Sequence, residues 1–262
     1  MVKEEGCLKN RVLIFLISSG IFFVSSTFVY GNLSSVPPPH VSKSWVSNSV
    51  HLTSSREGWA AGIDYENHRG VLLHYSGGVW NSELPPLVSS DWILNSVHFT
   101  SSGEGWAVGG DNANRKGILL HYSGGKWSSV APPSVSSDWR LSSVHFTSPN
   151  EGWAVGADKA SGIGVLFHYS GNSWSSAISS YDGIYWLLNS VHFTSPGEGW
   201  AVGSAGKSGD GLLLHYSEGK WRSVAPPSVS SYWGLTNIHF TAPGEGWFVG
   251  FDGVHNKGVL IH

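Results

Sequence analysis

Ten of the 13 histidines recur at two positions spaced by 47 residues, and such rows of imidazoles could in principle bind a metal ion or an anion. One row contains His51, His98, His145, His192 and His239. The other contains His74, His121, His168, His215 and His262. Neither row has an H-x-H pair or a nearby carboxylate to complete a coordination set. We therefore expect structural, hydrogen-bonded histidines, with no metal site and no cofactor.

A glutamate precedes Gly-Trp five times, and paired carboxylates are the apparatus of glycoside hydrolases. The series is Glu57, Glu104, Glu151, Glu198 and Glu245. Hydrolysis needs two carboxylates in different environments, whereas near-identical repeats supply near-identical environments. We therefore predict no catalytic residues and expect these glutamates to accept backbone N–H bonds in turns.

Tryptophans and aspartates beside variable loops are the residues that we predict to bind a ligand. The tryptophans are Trp45, Trp92, Trp139, Trp186 and Trp233, and the aspartates are Asp64, Asp111, Asp158 and Asp252. An exposed indole next to Ser, Asp and Asn suits stacking on a sugar ring with polar orientation. The alternative, favoured for any one tryptophan taken singly, is that the indole wedges between repeats.

These series all belong to one repeat of 47 residues. Glu-Gly-Trp recurs at this spacing without insertion or deletion, and three such series contain all 14 tryptophans. In residues 92–138, four short segments rich in β-forming residues are separated by glycine-rich or polar turns. Four strands per unit of this length are typical of a β-propeller, in which neighbouring blades cover each other's sheets. We predict an all-β fold, a five-bladed β-propeller of four-stranded blades.

The two ends of the repeat array are predicted to share one blade. Residues 34–39 match residues 128–133, so the propeller begins with a fourth strand, whereas residues 258–262 form a third strand. We predict that the N-terminal strand closes the last blade, that residues 32–262 form a whole ring, and that the protein is a monomer. The alternative is a piece of a longer array.

The first 31 residues have the pattern of a secretory signal. Basic residues precede a nearly unbroken apolar run at residues 12–24, and small residues follow it. We therefore expect a secreted, periplasmic or otherwise extracytoplasmic protein. An uncleaved signal anchor is the alternative, and only then would the membrane be a partner.

The composition excludes two classes of protein. Net charge is −3 and charged residues make up 13 % of the chain, so no basic surplus exists to neutralise nucleic-acid phosphates. Low charge combined with 14 tryptophans is the reverse of the signature of disorder.

The repeat motif V-H-F-T-S-x-x-E-G-W-A-V-G, followed by G-I-L-L-H-Y-S-G-G-x-W, resembles BNR or sialidase-type propeller repeats. It is most similar to those of the photosystem II stability/assembly factor family, and the resemblance covers nearly all of residues 34–262. It implies a β-propeller fold, whereas a fold does not by itself imply a function. The chain departs from the sialidase pattern because Ser123 is followed by two glycines instead of the Asp-box carboxylate, and because its six arginines are scattered. Five units of 47 residues are also similar to the geometry of the lectin tachylectin.

Two functions from different classes follow. The first is an exported, non-enzymatic scaffold that engages a macromolecular partner through the loops on one face. The second is a multivalent lectin with up to five equivalent pockets, in which repetition raises avidity. A sialidase-type glycoside hydrolase is a less favoured third alternative. The expected partner is therefore a protein or a glycan.

Overall fold

The computed structural model describes residues 36–262, which form 19 strands in one compact unit, Pro38–His262. The predicted signal, residues 1–31, lies outside the described residues. Within residues 36–262, no helix is long and apolar enough to cross a membrane.

The strands are grouped in five sheets, which we number as blades in chain order. Blade 1 contains β1 (Trp45–Ser54), β2 (Glu57–Asp64), β3 (Arg69–Ser76) and β4 (Val79–Glu83). Blade 2 contains β5 (Trp92–Ser101), β6 (Glu104–Asp111), β7 (Lys116–Ser123) and β8 (Lys126–Val130). Blade 3 contains β9 (Trp139–Ser148), β10 (Glu151–Asp158), β11 (Ile163–Ser170) and β12 (Ser173–Ser176). Blade 4 contains β13 (Leu187–Ser195), β14 (Glu198–Ala205), β15 (Asp210–Ser217) and β16 (Lys220–Val224). Blade 5 contains β17 (Trp233–Ala242), β18 (Glu245–Asp252) and β19 (Lys257–Ile261).

Every blade is an antiparallel meander in which each strand pairs with the next one along the chain. The predicted all-β propeller of five blades is confirmed. Blade 5 has three strands within the described residues. The equivalents of β8 in the predicted closing strand are residues 32–36, of which only Val36 is described, and Val36 is not in a strand.

The core lies between blades because the second strand of each blade is buried along nearly its whole length. In β6, Gly105 to Asp111 are all buried, since this strand has a sheet neighbour on each side and a blade on each face. A glycine is required after Trp-Ala-Val because the backbone of the paired first strand approaches closely at that position. A Cβ on Gly109 would overlap the carbonyl oxygen of Ile93 on the paired strand. The outer strand β8 is mostly exposed, which explains its weaker sequence pattern.

Stacked aromatic rings join each blade to the next. Trp106 of blade 2 lies parallel to Phe146 of blade 3, with ring centroids 5.6 Å apart. It also contacts the edge of Trp174 at 5.2 Å and Tyr169 at 5.0 Å. The same set recurs with Trp59 and Trp153. The Glu-Gly-Trp motif is therefore an interblade packing device.

Candidate functional site

One end of the propeller carries the variable loops, and we call it the loop face. The connections from second to third strands and from fourth to next first strands both emerge there, because each blade is an antiparallel meander. All of the predicted ligand-binding residues lie at this end, and each aspartate is the cross-strand partner of a tryptophan. Trp92 pairs with Asp111, and Trp139 pairs with Asp158.

The four predicted aspartates are buried and fully engaged with their own loops. Asp111 is 7 % exposed. Its Oδ1 accepts bonds from the Ser89 hydroxyl at 2.8 Å and the Asn114 backbone N–H at 2.9 Å. Its Oδ2 accepts the Asn114 side-chain amide at 2.8 Å. The carboxylate thus ties two loops together and offers no free oxygen to a ligand.

The other three aspartates repeat this arrangement. Ser42, Ser136 and Ser230 donate to Asp64, Asp158 and Asp252 at 2.6, 2.5 and 2.8 Å. Burial raises the pKa of each carboxyl, but the hydrogen bonds outweigh it, so that each pKa lies below its ordinary value. The pKa of Asp252 falls to about 2. These groups are therefore ionised structural anchors at neutral pH.

Blade 4 lacks both members of this pair. At the equivalent positions, 47 residues before Ser230 and Asp252, the chain has Gly183 and Ala205. A buried carboxylate without its hydrogen-bond donor would destabilise the fold, so the blade that lacks the serine also lacks the aspartate. This paired loss is visible in the sequence, and it is the signal by which the anchoring role of the aspartates could have been predicted.

Four of the five predicted tryptophans are buried between blades, so the expectation of exposed indoles does not hold for them. Trp92, Trp139, Trp186 and Trp233 are 1, 3, 7 and 3 % exposed. Each covers a glycine of the preceding blade, and a Cβ on Gly117 would overlap the Trp139 ring. The backbone N–H of Trp139 also donates to the backbone carbonyl of Arg115 at 3.0 Å. The physical reason is that an indole needs a partner surface, and the glycine platform supplies it. Trp45 alone is partly exposed.

A polar cleft of about 340 Å³ lies on the loop face between blades 2 and 3. Arg115, Arg140 and Lys159 are exposed and line it, together with Asp111 and Asp138. The backbone carbonyl of Asp138 accepts hydrogen bonds from the backbone N–H groups of Lys159 and Ala160 at 2.8 and 3.2 Å. These bonds fix the two loops that form the wall of the cleft. The three cations outnumber the two carboxylates, so the net charge of the cleft is positive. We call it the basic cleft.

The basic cleft is a place where the repeat symmetry is broken. The equivalents of Arg140 in blades 1, 2, 4 and 5 are Val46, Ile93, Leu187 and Gly234. The equivalents of Lys159 are Tyr65, Asn112, Gly206 and Gly253, and those of Arg115 are His68, Gly162, Gly209 and Asn256. The sequence shows each substitution, but only the fold brings all three cations to one cleft.

The first row of histidines runs along the first strands of the blades. Ring centroids of successive members lie 4.3, 4.5, 4.5 and 5.0 Å apart, from His51 to His239. Burial first, and then the neighbouring imidazoles, lower the pKa of His98 to about 2 and that of His145 to about 3. His98 and His145 are therefore neutral at physiological pH. Among residues 36–262, no group of three or more His, Cys, Asp or Glu side chains could hold a metal ion.

The second row of histidines pairs with the repeated glutamates, which corrects the expected role of those carboxylates. His168 Nε2 lies 2.5 Å from the Glu151 carboxylate, and its ring stacks on Trp153 with centroids 4.3 Å apart. His74 and His121 pair in the same way with Glu57 and Glu104. The carboxylate reaches across the sheet instead of back to the turn, because glutamate and histidine lie on the same side of neighbouring strands.

A second cleft, of about 640 Å³, lies at the end of the propeller opposite the loop face. It is lined by turns of blades 1 and 2, including Thr53, Arg56, Thr100 and Ser102. It is wider than the basic cleft, but it lacks a comparable convergence of charge.

Comparison with known proteins identifies the fold alone. No protein-family model matches the chain, and no curated protein matches it in sequence. Among solved structures, YCF48 from Cyanidioschyzon merolae is 18 % identical with a TM-score of 0.52, covering 78 % of this chain and 64 % of that one. A GH74 enzyme from Niastella koreensis is 12 % identical with a TM-score of 0.52, covering 82 % of this chain and 38 % of that one. A YCF48 bound to a D1 peptide is 17 % identical with a TM-score of 0.41, covering 79 % and 75 %.

The two structures with a TM-score of 0.52 bear out the resemblance at the level of the fold. YCF48 is a photosystem II assembly factor, and GH74 enzymes are sialidase-like propellers. The chain spans less than two thirds of the length of the Cyanidioschyzon and Niastella proteins. What those proteins bind or cleave is a property of those proteins.

Proposed function

We propose that the protein is an exported, non-enzymatic scaffold that binds a protein partner through its loop face, with the basic cleft as the main contact. The observation that carries this proposal is the convergence of Arg115, Arg140 and Lys159 in one cleft between two blades. Guanidinium groups bind carboxylates through two parallel hydrogen bonds, and a lysine ammonium adds a mobile charge. The preferred ligand is a carboxylate-bearing segment of a folded or extended protein chain.

The burial of the tryptophans favours a protein over a glycan. Sugar recognition by stacking needs an open aromatic face. Four of the five predicted indoles have none, because a neighbouring blade covers them. The repeated pockets required by a fivefold lectin would also be equivalent, whereas the basic cleft occurs at one junction only among the described blades. The loop face therefore has the features of a single, asymmetric contact site.

A non-catalytic role is supported by the state of Asp111, one of the two carboxylates that line the basic cleft. General acid–base chemistry needs a carboxylate with a free oxygen facing the substrate. In the basic cleft, both oxygens of Asp111 accept internal hydrogen bonds. Since the fold is shared with a GH74 enzyme, hydrolysis of soluble polysaccharides is the appropriate assay. Turnover that is lost on replacing Asp138 would contradict the proposal.

Export is proposed from the basic residues and apolar run within residues 1–31. Expressing the full chain and sequencing the amino terminus of the recovered protein tests it. We expect a mature end near residue 31 and recovery outside the cytoplasm. A cytoplasmic protein that still begins at Met1 would contradict export.

Site-specific photocrosslinking tests the partner. A photoreactive residue at Asn112, exposed at the basic cleft, is expected to crosslink a discrete protein in an extract of the native cells. The crosslink should be lost when Arg140→Glu and Lys159→Glu are combined. Arg222→Glu is the matched control, because Arg222 is an exposed arginine on the outer strand of blade 4. A crosslink that survives the double variant, or specific binding on a glycan array, would overturn the proposal.

A further inference from the structure

The junction between blades 3 and 4 is the repeat equivalent of the junction that holds the basic cleft. The equivalents of Arg115, Asp138 and Arg140 are Gly162, Tyr185 and Leu187. The backbone is held alike at both junctions, because the N–H of Trp186 donates to the Gly162 carbonyl at 3.1 Å, as its equivalent does at the basic cleft. The same part of the repeat is therefore charged at one junction and apolar at the next.

Apolar side chains are exposed on the loop face at this second junction. Ile184, Tyr185 and Leu187 are 67, 55 and 38 % exposed. Ile163, at the start of β11, is 43 % exposed. We call these four side chains the apolar ledge. Blades 3 and 4 each pack against a described blade on both sides, so the ledge is removed from the two ends of the array.

Tyr185 is held in place by its backbone and by its neighbours. Its φ is 57°, in the left-handed region that few residues other than glycine adopt. The ring packs against Gly162, where an added Cβ would lie 3.2 Å from it. The Lys207 ammonium lies over the ring at 5.7 Å from its centroid, within the range of a cation–π contact. A side chain positioned in advance loses little conformational freedom when a partner binds to it.

The apolar ledge and the basic cleft meet at one loop of blade 3, residues 158–163. Lys159, near the start of this loop, lines the basic cleft. Ile163, at its other end, belongs to the ledge. The Asp158 carboxylate fixes the loop by accepting two of its backbone N–H groups. A protein segment that leaves the cleft over this loop therefore meets the ledge.

We propose that the basic cleft and the apolar ledge together bind one protein segment in which a large apolar residue lies near a pair of acidic residues. This inference rests on the proposed function and adds the chemistry of the partner. The guanidinium groups of the cleft bind carboxylates, and the ledge buries the apolar side chain away from water. Exposed apolar patches of this kind mark interaction sites.

A protein segment fits the ledge better than a glycan does. Stacking on a sugar ring needs hydrogen-bonding groups around the aromatic side chain. Three of the four side chains of the ledge are aliphatic, namely Ile163, Ile184 and Leu187. The ledge therefore favours a leucine-sized or phenylalanine-sized side chain.

Fluorescence anisotropy with synthetic peptides tests the inference on the full chain. All of the peptides have a Gly-Ser backbone of one length. One carries an Asp-Glu pair, and the combined peptides also carry a Leu-Phe pair, in either order, about two to eight residues away. Since an extended residue spans about 3.3–3.6 Å, these spacings cover about 7–28 Å. We expect the best combined peptide to bind at least about tenfold more tightly than the acidic peptide, which is the factor that burial of one large apolar side chain supplies.

Variants of the ledge separate its contribution from that of the cleft. Tyr185→Asn combined with Leu187→Thr should remove the tenfold gain and leave binding of the acidic peptide unchanged. Asparagine tolerates a positive φ and threonine suits a strand, so the backbone is retained. Arg140→Glu should weaken both kinds of peptide. Tyr65→Asn is the matched control, because Tyr65 is a tyrosine of the loop face in blade 1 that is 53 % exposed, and it should change neither affinity.

The possible failures are distinguishable. Combined peptides that bind no more tightly than the acidic peptide would overturn the role of the ledge and leave the proposed function intact. If neither kind of peptide binds the unaltered protein, the proposed function fails and this inference fails with it. A tenfold gain that persists in the double variant would also overturn the inference, as would glycan-array binding that the double variant loses.

Discussion

At the scale of single residues, the buried aspartates of the loop face show how a residue suited to binding serves structure instead. Asp111 lies beside variable loops, as a ligand-binding residue would. Both of its carboxylate oxygens nevertheless accept hydrogen bonds from Ser89 and Asn114. An ionised carboxylate in a buried position is stable only with such donors. In blades 1, 2, 3 and 5, the same serine–aspartate hydrogen bond therefore holds the two loops together where they leave the sheet. The residues beyond this bond vary from blade to blade.

Removing the donor to one aspartate is expected to destabilise the protein. Ser89→Ala should lower the free energy of unfolding by about 1–3 kcal/mol, because it removes one of the hydrogen bonds that the buried, ionised Asp111 carboxylate accepts. Urea unfolding of the purified protein measures the change. Ser129→Ala, on the exposed outer strand of the same blade, should shift it by less than about 0.5 kcal/mol. Equal effects of the two variants would contradict the anchoring role.

The buried histidines of the first row make the free energy of unfolding depend on pH. Burial and neighbouring imidazoles lower the pKa of His98 to about 2, whereas an unfolded histidine has a pKa of about 6.5. The unfolded chain therefore binds more protons between these values. The stability contributed by the neutral imidazole is fully present above about pH 6.5 and is lost as the pH falls below it.

Replacing one buried histidine of the first row should reduce that dependence on pH. His98→Phe is expected to lower the slope of unfolding free energy against pH, between about pH 6 and pH 4, by about one proton, or about 1.4 kcal/mol per pH unit. His40→Phe, at an exposed position, should leave the slope unchanged. Urea midpoints measured across this range give the slopes. An unaltered slope in the His98 variant would show that its imidazole is already protonated in the folded state.

At the scale of elements, the second residue of the third strand is a glycine, and in blades 1 to 4 it receives the next blade's tryptophan. Gly117→Ala should destabilise the protein by about 1–3 kcal/mol, because the added methyl group overlaps the ring of Trp139. Gly258→Ala is a matched control in the same repeat position, where no atom lies within 4 Å of the added group. Thermal unfolding of both variants compares them. Similar losses would show that strand propensity, not wedge packing, decides the cost.

The burial of each strand also explains how closely its residue pattern repeats along the sequence. Second strands are buried on both sides, so their Gly-Trp-Ala-Val-Gly pattern tolerates almost no variation. Fourth strands are exposed, and β12 is reduced to four residues. The weak signal in this strand follows from its position at the outer edge of each blade.

At the scale of the whole molecule, identical repeat positions differ in energy according to their place in the array. Trp153 and Trp247 follow the same Glu-Gly, but they are 2 and 51 % exposed. Trp153→Ala should cost about 3–5 kcal/mol, as expected for a large buried aromatic side chain. Trp247→Ala should cost much less, because about half of its side chain is already exposed. Urea unfolding measured on both variants compares the two losses, and an equal loss from Trp247→Ala would show that its indole is covered by another part of the chain.

The sequence by itself determined the blades, because a repeat of 47 residues with four β-forming segments and glycines at close approaches permits little else. It also located the variable loops at one end. It could not assign the tryptophans, since a wedge against glycine and an open stacking platform use the same residue type. It could not predict the Glu–His pairs either, because these depend on which side chains share one face of the sheet.

Only the tertiary structure decided where charged groups converge and which repeat contacts are made. Arg115, Arg140 and Lys159 are separated in the chain, and their convergence depends on two blades meeting at one cleft. The exposed faces of blades 1 and 5 likewise depend on position, since the same residues are buried wherever a neighbouring blade is present. A repeat specifies each contact locally, but whether a contact is made is set by the arrangement of the whole array.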